Sequence, residues 1–238
     1  SEDALTSGDK NIGVGYGSLS AVTTGSENVG IGDNALGQLT TTNGNTALGS
    51  NAGFAVAGAS NTAIGQYALQ AATTTNDNTA VGASALTANT GGASNTGVGS
   101  GSLATNTTGG YNTAIGAGAL TANTTASHNI AVGRLSLTAN TTGTQNVSMG
   151  GESLSTNTTG NYNTALGNNS LQANNASNNT AVGYHALKLN TTGANSVAVG
   201  YTALDANTTG AQNIAIGAGG ALGANTTADY NIAMGYAA

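Results

Sequence analysis

Few residues in this chain have side chains suited to acid–base, nucleophilic or metal chemistry. The 238-residue sequence contains two histidines, His128 and His185, nine acidic residues, three basic residues and no cysteine. A zinc or catalytic site needs several such groups held together, and glycoside cleavage needs paired carboxylates in a groove. Because the acids are scattered, the sequence predicts no catalytic, metal-binding or cofactor-binding residue. We therefore expect a protein that is not an enzyme and has no cofactor.

Two glycine- or asparagine-rich patterns resemble functional motifs, and both have a simpler structural explanation. The stretch 217–220, Gly-Ala-Gly-Gly, has the composition of a phosphate loop, but glycine recurs throughout the chain, so chance explains the match. Asn-Thr-Thr is formally a glycosylation sequon, yet its regular recurrence favours a turn that closes each structural repeat. Calcium-binding β-rolls require aspartate at fixed positions of the repeat, which nine scattered acids do not provide.

The charge content argues against binding to nucleic acids or anionic membranes. Only Lys10, Arg134 and Lys188 are basic, and the formal net charge is −6. A groove for nucleic acid needs several cations to neutralise phosphates, and attraction to an anionic membrane surface also needs clustered basic residues. No apolar run approaches the roughly 18 residues of a membrane span. The sequence thus predicts no nucleic-acid partner and no membrane insertion of this segment.

The dominant feature is a unit of about 17 residues that recurs from Asn11 onward. Each unit begins with a five-residue box, Asn-(Thr/Ile/Val)-(Ala/Gly/Ser)-aliphatic-Gly; all fourteen boxes end in glycine, and all but Ser196 begin with asparagine. A fixed period of this length is typical of a solenoid, in which each repeat covers its neighbour. We predict an all-β parallel solenoid of 13–14 coils over residues 11–238, preceded by a lead-in or cap at 1–10. The chain stops partway through a repeat, at Tyr236-Ala-Ala, which predicts that the native protein continues.

Two sets of large aliphatic residues recur with this period and predict a core. Numbering each repeat from the first residue of its box, positions 2 and 4 of the predicted strand share one face and the small residue at position 3 takes the other. We expect position 4 to line the inside of each coil and position 3 to form a flat apolar outer face suited to a second chain. Leucine at position 9 is expected to complete the core from a second strand or arc. The predicted core residues are Val14, Ile31, Ile64, Val81, Ile115, Val132, Val182, Val199, Ile216, Leu103, Leu120, Leu137, Leu154, Leu171, Leu187 and Leu204.

This assignment makes predictions at individual residues. In the third repeat Phe54 is expected to replace the position-9 leucine, and one inserted residue near the C-terminus brings Leu222 to that position. An aspartate at Ile115 should destabilise the fold strongly, through a buried unpaired charge. The same change at Ala117, a turn residue, should have almost no effect.

The asparagine and glycine that bound each box are predicted to form turns and ladders. Glycine at position 5 follows each strand, where a turn requires positive φ or a tight corner. Asparagine at position 1 suits the start of a strand after a turn, and stacked asparagine side chains can hydrogen-bond along the solenoid axis. The predicted turn and ladder residues include Asn112, Gly116, Asn129, Gly133, Asn179 and Gly183.

The boxes also resemble a known family of repeats. Those at 129–133, 179–183 and especially 196–200 (Ser-Val-Ala-Val-Gly) are similar to the Ser-Val-Ala-Ile-Gly repeats of YadA-like heads in trimeric autotransporter adhesins. Similar arrays occur in phage tail fibres and bacterial surface proteins. The resemblance covers residues 11–238 and implies a left-handed parallel β-roll, three chains side by side, an extracellular, cell-surface or virion location and a role in attachment. The repeat here is longer than is usual in that family, because of its Asn-Thr-Thr-Gly arc.

Tyrosines are the best candidates for contacts with another molecule. Tyr184 and Tyr201 are 17 residues apart, as are Tyr111 and His128, so each pair is expected to stack on adjacent coils. Exposed tyrosine pairs are suited to contacts with glycans or proteins, although they can equally shield a corner or a seam between chains. Lys188 and Asp205 share position 10 of adjacent coils, which predicts an ion pair along the axis.

Three functions remain open on the sequence. The leading hypothesis is a non-enzymatic adhesive or structural fibre segment, a surface adhesin head or a phage tail-fibre shaft, assembled as a homotrimer and in contact with a host-surface protein or glycan. The second is an ice-binding solenoid, although the threonine pairs are adjacent rather than alternating and position 2 mixes threonine with isoleucine and valine. The third is a subunit of a polymerising extracellular filament.

Overall fold

The computed structural model describes residues 7–71 and 74–238, and their fold is all-β. Fourteen short parallel strands, about 17 residues apart, form a β-solenoid of about 13 turns, with no helix in the described ranges. The predicted fold class and repeat length are confirmed. Of the predicted lead-in, residues 1–6 lie outside the described part of the chain. Residues 7–10 already pair with the first coil, since the Ser7 N–H donates to the Thr23 carbonyl at 3.1 Å.

The strands divide between two compact units. The N-terminal unit runs to Gly118 and also includes Asn123–Thr125, whereas the C-terminal unit comprises Ala119–Ala122 and Ala126–Ala238. The N-terminal unit contains β1 (Ile12–Val14), β2 (Val29–Ile31), β3 (Thr46–Leu48), β4 (Thr62–Ile64), β5 (Thr79–Val81), β6 (Thr96–Val98) and β7 (Thr113–Ile115). The C-terminal unit contains β8 (Ile130–Val132), β9 (Val147–Met149), β10 (Thr164–Leu166), β11 (Thr180–Val182), β12 (Val197–Val199), β13 (Ile214–Ile216) and β14 (Ile232–Met234).

Within each unit, every strand pairs with the next strand of the chain in the same register. Position 2 faces position 2, as in Thr79↔Thr96 and Thr180↔Val197. Coils of 16 and 18 residues keep this register, as Thr46↔Thr62 and Ile214↔Ile232 show. The turns therefore absorb insertions and deletions, while the box sets the pairing.

The structure reverses the predicted orientation of the strand. Positions 2 and 4 do share one face, but that face points outward, and the small residue at position 3 points inward. In β7, Ala114 is completely buried whereas Ile115 is 42% exposed. The prediction that an aspartate at Ile115 would bury a charge is therefore wrong, and so is the prediction of a small apolar outer face.

The predicted core residues at position 4 are accordingly corrected. Val14, Ile31, Ile64, Ile115 and Ile216 are exposed, and Val81, Val132, Val182 and Val199 are partly exposed. The inner side of the strands is instead formed by buried alanines such as Ala47, Ala80, Ala131, Ala181 and Ala198.

The reason for the inversion is that the opposite wall lies very close to the strand. At Gly30, an added Cβ would lie 2.7 Å from the Ser18 hydroxyl, 3.0 Å from the Ala35 carbonyl and 3.2 Å from Leu19 Cγ. Position 3 carries only glycine, alanine or serine in the fourteen strands, because close-packed interiors tolerate little extra volume. Large residues in the strand must therefore point to the other side.

The leucines at position 9 form the core, as predicted. Leu103, Leu120, Leu137, Leu154, Leu171, Leu187 and Leu204 are all completely buried. Each adopts a left-handed conformation with φ between 49° and 55°, so the segment is a turn and not a second strand. A non-glycine residue at positive φ is uncommon and costs about 1 kcal/mol or more, which burial of the leucine side chain offsets.

The predictions made for the two irregular repeats have opposite outcomes. The prediction for Phe54 is wrong: Gly53 takes the left-handed position 9, and the partly exposed Phe54 ring lies over Gly37. An added Cβ at Gly53 would lie 2.9 Å from Leu36 Cδ2, so the leucine of the preceding coil fills this part of the core. The prediction for Leu222 is confirmed, because this residue has the φ of 50° shared by the other leucines.

Two ladders of buried asparagines run along the coils. At position 1 the side-chain oxygen of one residue accepts hydrogen bonds from the equivalent residue of the next coil, as where Asn112 N and Nδ2 lie 3.0 and 3.2 Å from Asn95 Oδ1. At position 12, Asn207 Nδ2 donates to Asn190 Oδ1 at 2.9 Å. The predicted amide ladder is thus confirmed, and it gives buried polar groups hydrogen-bond partners. The predicted turn glycines Gly116, Gly133 and Gly183 all have φ near 130°.

Candidate functional site

The outward strand surface, called here the outer face, consists of the side chains at positions 2 and 4 of each strand. Its position-4 row is aliphatic in every strand and includes exposed residues such as Leu48, Ile64, Met149 and Ile216. Parallel pairing without offset places equivalent side chains about 4.8 Å apart along the row. Large contiguous apolar patches on a protein surface typically mark interaction sites. The outer face is therefore the main candidate functional surface of each unit.

The two units differ in the row at position 2. In the N-terminal unit, five consecutive strands carry threonine there: Thr46, Thr62, Thr79, Thr96 and Thr113. In the C-terminal unit the row mixes two threonines with isoleucine and valine, as at Ile130, Val147 and Val197. The N-terminal unit thus presents a regular hydroxyl row beside an aliphatic row, and the C-terminal unit presents a more apolar surface.

Few charges interrupt these surfaces. In the described ranges the ion pairs are Lys10–Glu27, with Nζ and Oε1 3.0 Å apart, and Arg134–Glu152, with Nη1 and Oε1 3.2 Å apart. Both pairs are well exposed, so each contributes little to stability. The predicted pair between Lys188 and Asp205 is not formed. Instead, both side chains lie close enough to His185 to affect its protonation.

These residues belong to a second feature, called here the aromatic corner, which consists of Tyr184, His185, Lys188, Tyr201 and Asp205. The Tyr184 and Tyr201 rings stack with centroids 5.6 Å apart and planes 10° apart, which confirms the predicted stacking of this pair. The His185 ring stacks on Tyr184 with a centroid distance of 3.7 Å. Tyr184 is 45% exposed and Tyr201 is 57% exposed, so the stack lies at the surface.

The aromatic corner should show an altered histidine titration. Partial burial of the His185 imidazole lowers its pKa below the ordinary value of 6.5, Lys188 lowers the pKa further, and Asp205 opposes the shift. Because the folded state binds this proton less tightly than the unfolded state, stability should fall as the pH drops from about 6.5 through the folded pKa. The effect should be small, since the ring is largely solvated. A proton NMR titration should give a pKa below 6.5 that rises in Lys188→Ala and falls in Asp205→Asn; the opposite shifts would contradict this assignment.

The other predicted contact pair lies at position 17. Tyr111 is an exposed residue of the N-terminal unit, and His128 is an exposed residue of the C-terminal unit. Both adopt left-handed conformations, with φ of 59° and 62°. This geometry is shared by residues at position 17 of many types, including Lys10, Glu27 and Ser60, so it belongs to the turn and does not depend on the aromatic ring.

The described residues contain no cavity and no cluster of three or more histidine, aspartate or glutamate side chains placed to hold a metal ion. Over the same residues, no helix is long and apolar enough to cross a membrane. Comparison of the chain with protein-family models, curated proteins and solved structures found no match. The candidate surfaces are therefore assigned from the structure of this chain alone.

The outer face is the functional surface that the sequence prediction missed. The alternation of large and small residues identified the two faces of the strand, but hydrophobicity favoured the wrong one as the inner face. One signal was available: position 3 is never larger than serine, whereas position 4 varies freely among valine, isoleucine, leucine and methionine. A position restricted to the smallest residues is typical of close packing, and tolerance of several shapes is typical of a less confined site.

Proposed function

We propose that this chain is a structural and adhesive segment of a surface fibre, without enzymatic activity, in which copies pack side by side through the outer face. The observation that carries the proposal is the row of outward aliphatic residues at position 4, which is continuous within each unit. Burial of such a row against an identical row removes apolar area from water at about 25 cal/mol per Å². Within each unit, parallel rows with a common spacing also match each other strand by strand.

The resemblance to YadA-like head repeats supports three copies and an extracellular, cell-surface or virion location. In that arrangement the outer faces of three chains meet around a common axis and form an apolar core between subunits. The leucine core and the asparagine ladders remain inside each chain. The segment would then act as a stiff spacer or attachment surface, with its turns and corners directed to solvent.

The proposal is tested by the solution mass of the chain and of two matched variants. We expect light scattering to give three times 22.7 kDa for the unmodified chain. The double variant Val182→Asp with Val199→Asp places charges on the outer face and should give a monomer that keeps its β-sheet circular dichroism. The control Thr192→Asp with Thr209→Asp places the same charges on exposed turns of the same coils and should leave the mass unchanged.

Two results would contradict this proposal. One is a mass of 22.7 kDa for the unmodified chain at tens of micromolar. The other is an assembly that survives charges on the outer face but is lost in the turn control.

A second candidate function, ice binding, is favoured by one specific observation. The five threonines at position 2 of β3–β7 form a regular outward row beside an aliphatic row. This arrangement differs from the adjacent Asn-Thr-Thr threonines that argued against ice binding in the sequence. Replacing Thr79 and Thr96 with lysine should abolish inhibition of ice growth if the row binds ice. If the unmodified chain does not alter ice growth, this candidate is wrong.

A further inference from the structure

The repeats provide an internal control for recognising residues that the fold does not require. The residue that follows the strand glycine, at position 6, is alanine in three coils, at Ala83, Ala117 and Ala218. It is tyrosine at Tyr16, Tyr184, Tyr201 and Tyr236, of which only Tyr184 and Tyr201 lie on adjacent coils. The coils of these two tyrosines have the same strand and the same leucine turn as the three alanine coils. The two tyrosines are therefore dispensable for folding, and their presence on adjacent coils needs another explanation.

Several residues of types that are rare in the other repeats occur together in the aromatic corner. The corner combines the described stacks of aromatic rings with one lysine and one aspartate, in a chain whose charged residues amount to 5%. Lys188 and Asp205 both lie near His185 without forming an ion pair with each other. Their charged groups can thus serve as a hydrogen-bond donor and acceptor beside the rings.

One ring face at the corner has a small neighbour at position 6 of the next coil. Tyr201 stacks on Tyr184 on one side, and the equivalent residue of the next coil is Ala218, which is itself exposed and followed by two glycines. The ring of Tyr236, the next tyrosine at position 6, lies over Gly219, so Ala218 separates it from Tyr201. The far face of Tyr201 therefore has only a methyl group as its neighbour at position 6. The face of an aromatic ring carries partial negative charge, so it attracts the weakly positive C–H groups of an apolar ring surface.

We propose that the aromatic corner binds a neutral saccharide. A pyranose ring has one apolar C–H face, which would stack on Tyr201, and peripheral hydroxyls, which would hydrogen-bond to Lys188 and Asp205. The corner carries one positive and one negative charge, so it has no net charge with which to select an acidic sugar. Its shallow form suits a saccharide that lies along the surface, because pockets for compact small molecules are concave.

This inference does not rest on side-by-side assembly of the chains. The corner belongs to the turn beyond position 5, whereas the outer face consists of positions 2 and 4. A monomeric protein could therefore bind a saccharide, and a trimer could fail to do so. The mass measurement and the binding measurement are independent for this reason.

The test is binding of the fluorescently labelled chain to an array of immobilised neutral, sialylated and sulfated glycans. We expect binding to at least one neutral glycan, with about a tenfold or larger loss of affinity in Tyr201→Ala. Tyr201→Ala should fold normally, because alanine occupies the same position in three other coils. The matched control is Tyr162→Ala, which removes an equally exposed tyrosine of the same unit from position 17 and should bind like the unmodified chain.

Each alternative outcome overturns the inference. Absence of binding to any neutral glycan, or binding only to sialylated or sulfated glycans, shows that the corner does not recognise neutral saccharides. Equal binding by Tyr201→Ala and the unmodified chain places the saccharide elsewhere. Equal loss in Tyr201→Ala and Tyr162→Ala shows that tyrosines at the surface contribute without a specific site.

Discussion

Replacing Gly82 with alanine is expected to destabilise the fold by about 3 kcal/mol or more, through backbone strain and overpacking. Gly82 has φ of +131°, and an added Cβ would lie 2.6 Å from the Gly99 carbonyl carbon and 2.7 Å from its oxygen. These are backbone atoms of the next coil, so the neighbour cannot rotate away. The two coils would have to separate, which would weaken the hydrogen bonds between them. Urea unfolding followed by circular dichroism measures the change in free energy.

Gly44→Ala is the matched control for this prediction. Gly44 also has positive φ, at +71°, but the nearest atom to an added Cβ is the Ser60 hydroxyl oxygen at 3.8 Å. Other coils place serine or glutamate in the equivalent left-handed position, at Ser60 and Glu27. The cost should therefore be about 1 kcal/mol or less. Similar destabilisation by the two substitutions would show that contact between adjacent coils at Gly82 is not the cause.

Replacing Asn163 with alanine is expected to cost about 3 kcal/mol, because it interrupts a buried hydrogen-bond ladder. Asn163 Nδ2 donates to Asn146 Oδ1 at 3.1 Å and to the Ala176 carbonyl at 2.8 Å. Its Oδ1 accepts a hydrogen bond from the Asn179 backbone N–H at 3.0 Å. Asn163 is completely buried, so water does not replace these partners. The same unfolding experiment measures the loss.

The chain itself supplies the controls for this ladder. Serine occupies the equivalent position at Ser196, where its hydroxyl accepts a hydrogen bond from Asn213 N at 3.2 Å and so preserves one link. Asn163→Ser should therefore cost about half as much as Asn163→Ala. Conversely, Ser196→Asn should stabilise the protein by about 1 kcal/mol, because the new amide can reach Asn179 Oδ1 and the Gly210 carbonyl. Destabilisation by Ser196→Asn would show that the asparagine ladder does not account for the regular stacking of the coils.

Much of the fold could be predicted from the sequence, because the period of the repeats and the residue type at each position can be seen in it directly. The spacing of the boxes predicted parallel strands in register, and the asparagine of each box predicted a ladder such as Asn95–Asn112. The recurring leucine predicted a core, since a large residue kept at one position of every coil indicates a confined site. These features depend on period and residue type alone.

The orientation of the strand was predicted wrongly, because hydrophobicity was given more weight than the restriction of position 3 to the smallest residues. Alternation shows that Ala114 and Ile115 lie on opposite faces, but hydrophobicity favours burial of the isoleucine. The deciding factor is the distance to the opposite wall, which is set by a left-handed leucine turn. Nothing in a leucine side chain indicates φ near +51°, because that conformation is uncommon for this residue. The sequence therefore identified the two faces and assigned them the wrong way round.

The candidate sites were predicted to different extents. The stacking of Tyr184 on Tyr201 followed from their 17-residue separation, because the register carries equivalent positions onto adjacent coils. The stacking of His185 on Tyr184 did not follow, because both residues lie in the turn after β11, where the sequence pattern does not indicate the direction of a side chain. His185 has a left-handed backbone in this turn, with φ of 59°.

The central claim is that the small residue of each strand faces the interior and the large residue faces outward. It is tested most directly by comparing the unfolding free energies of Ala114→Val and Ile115→Ala in the monomeric double variant Val182→Asp with Val199→Asp, because Ile115 would be buried between subunits in an assembled trimer. Ala114 is completely buried and Ile115 is 42% exposed, so the added methyl groups should cost about 1–3 kcal/mol and the removed isoleucine atoms less than about 1 kcal/mol. The reverse order, with Ile115→Ala the more damaging substitution, would contradict the inward orientation of the alanine.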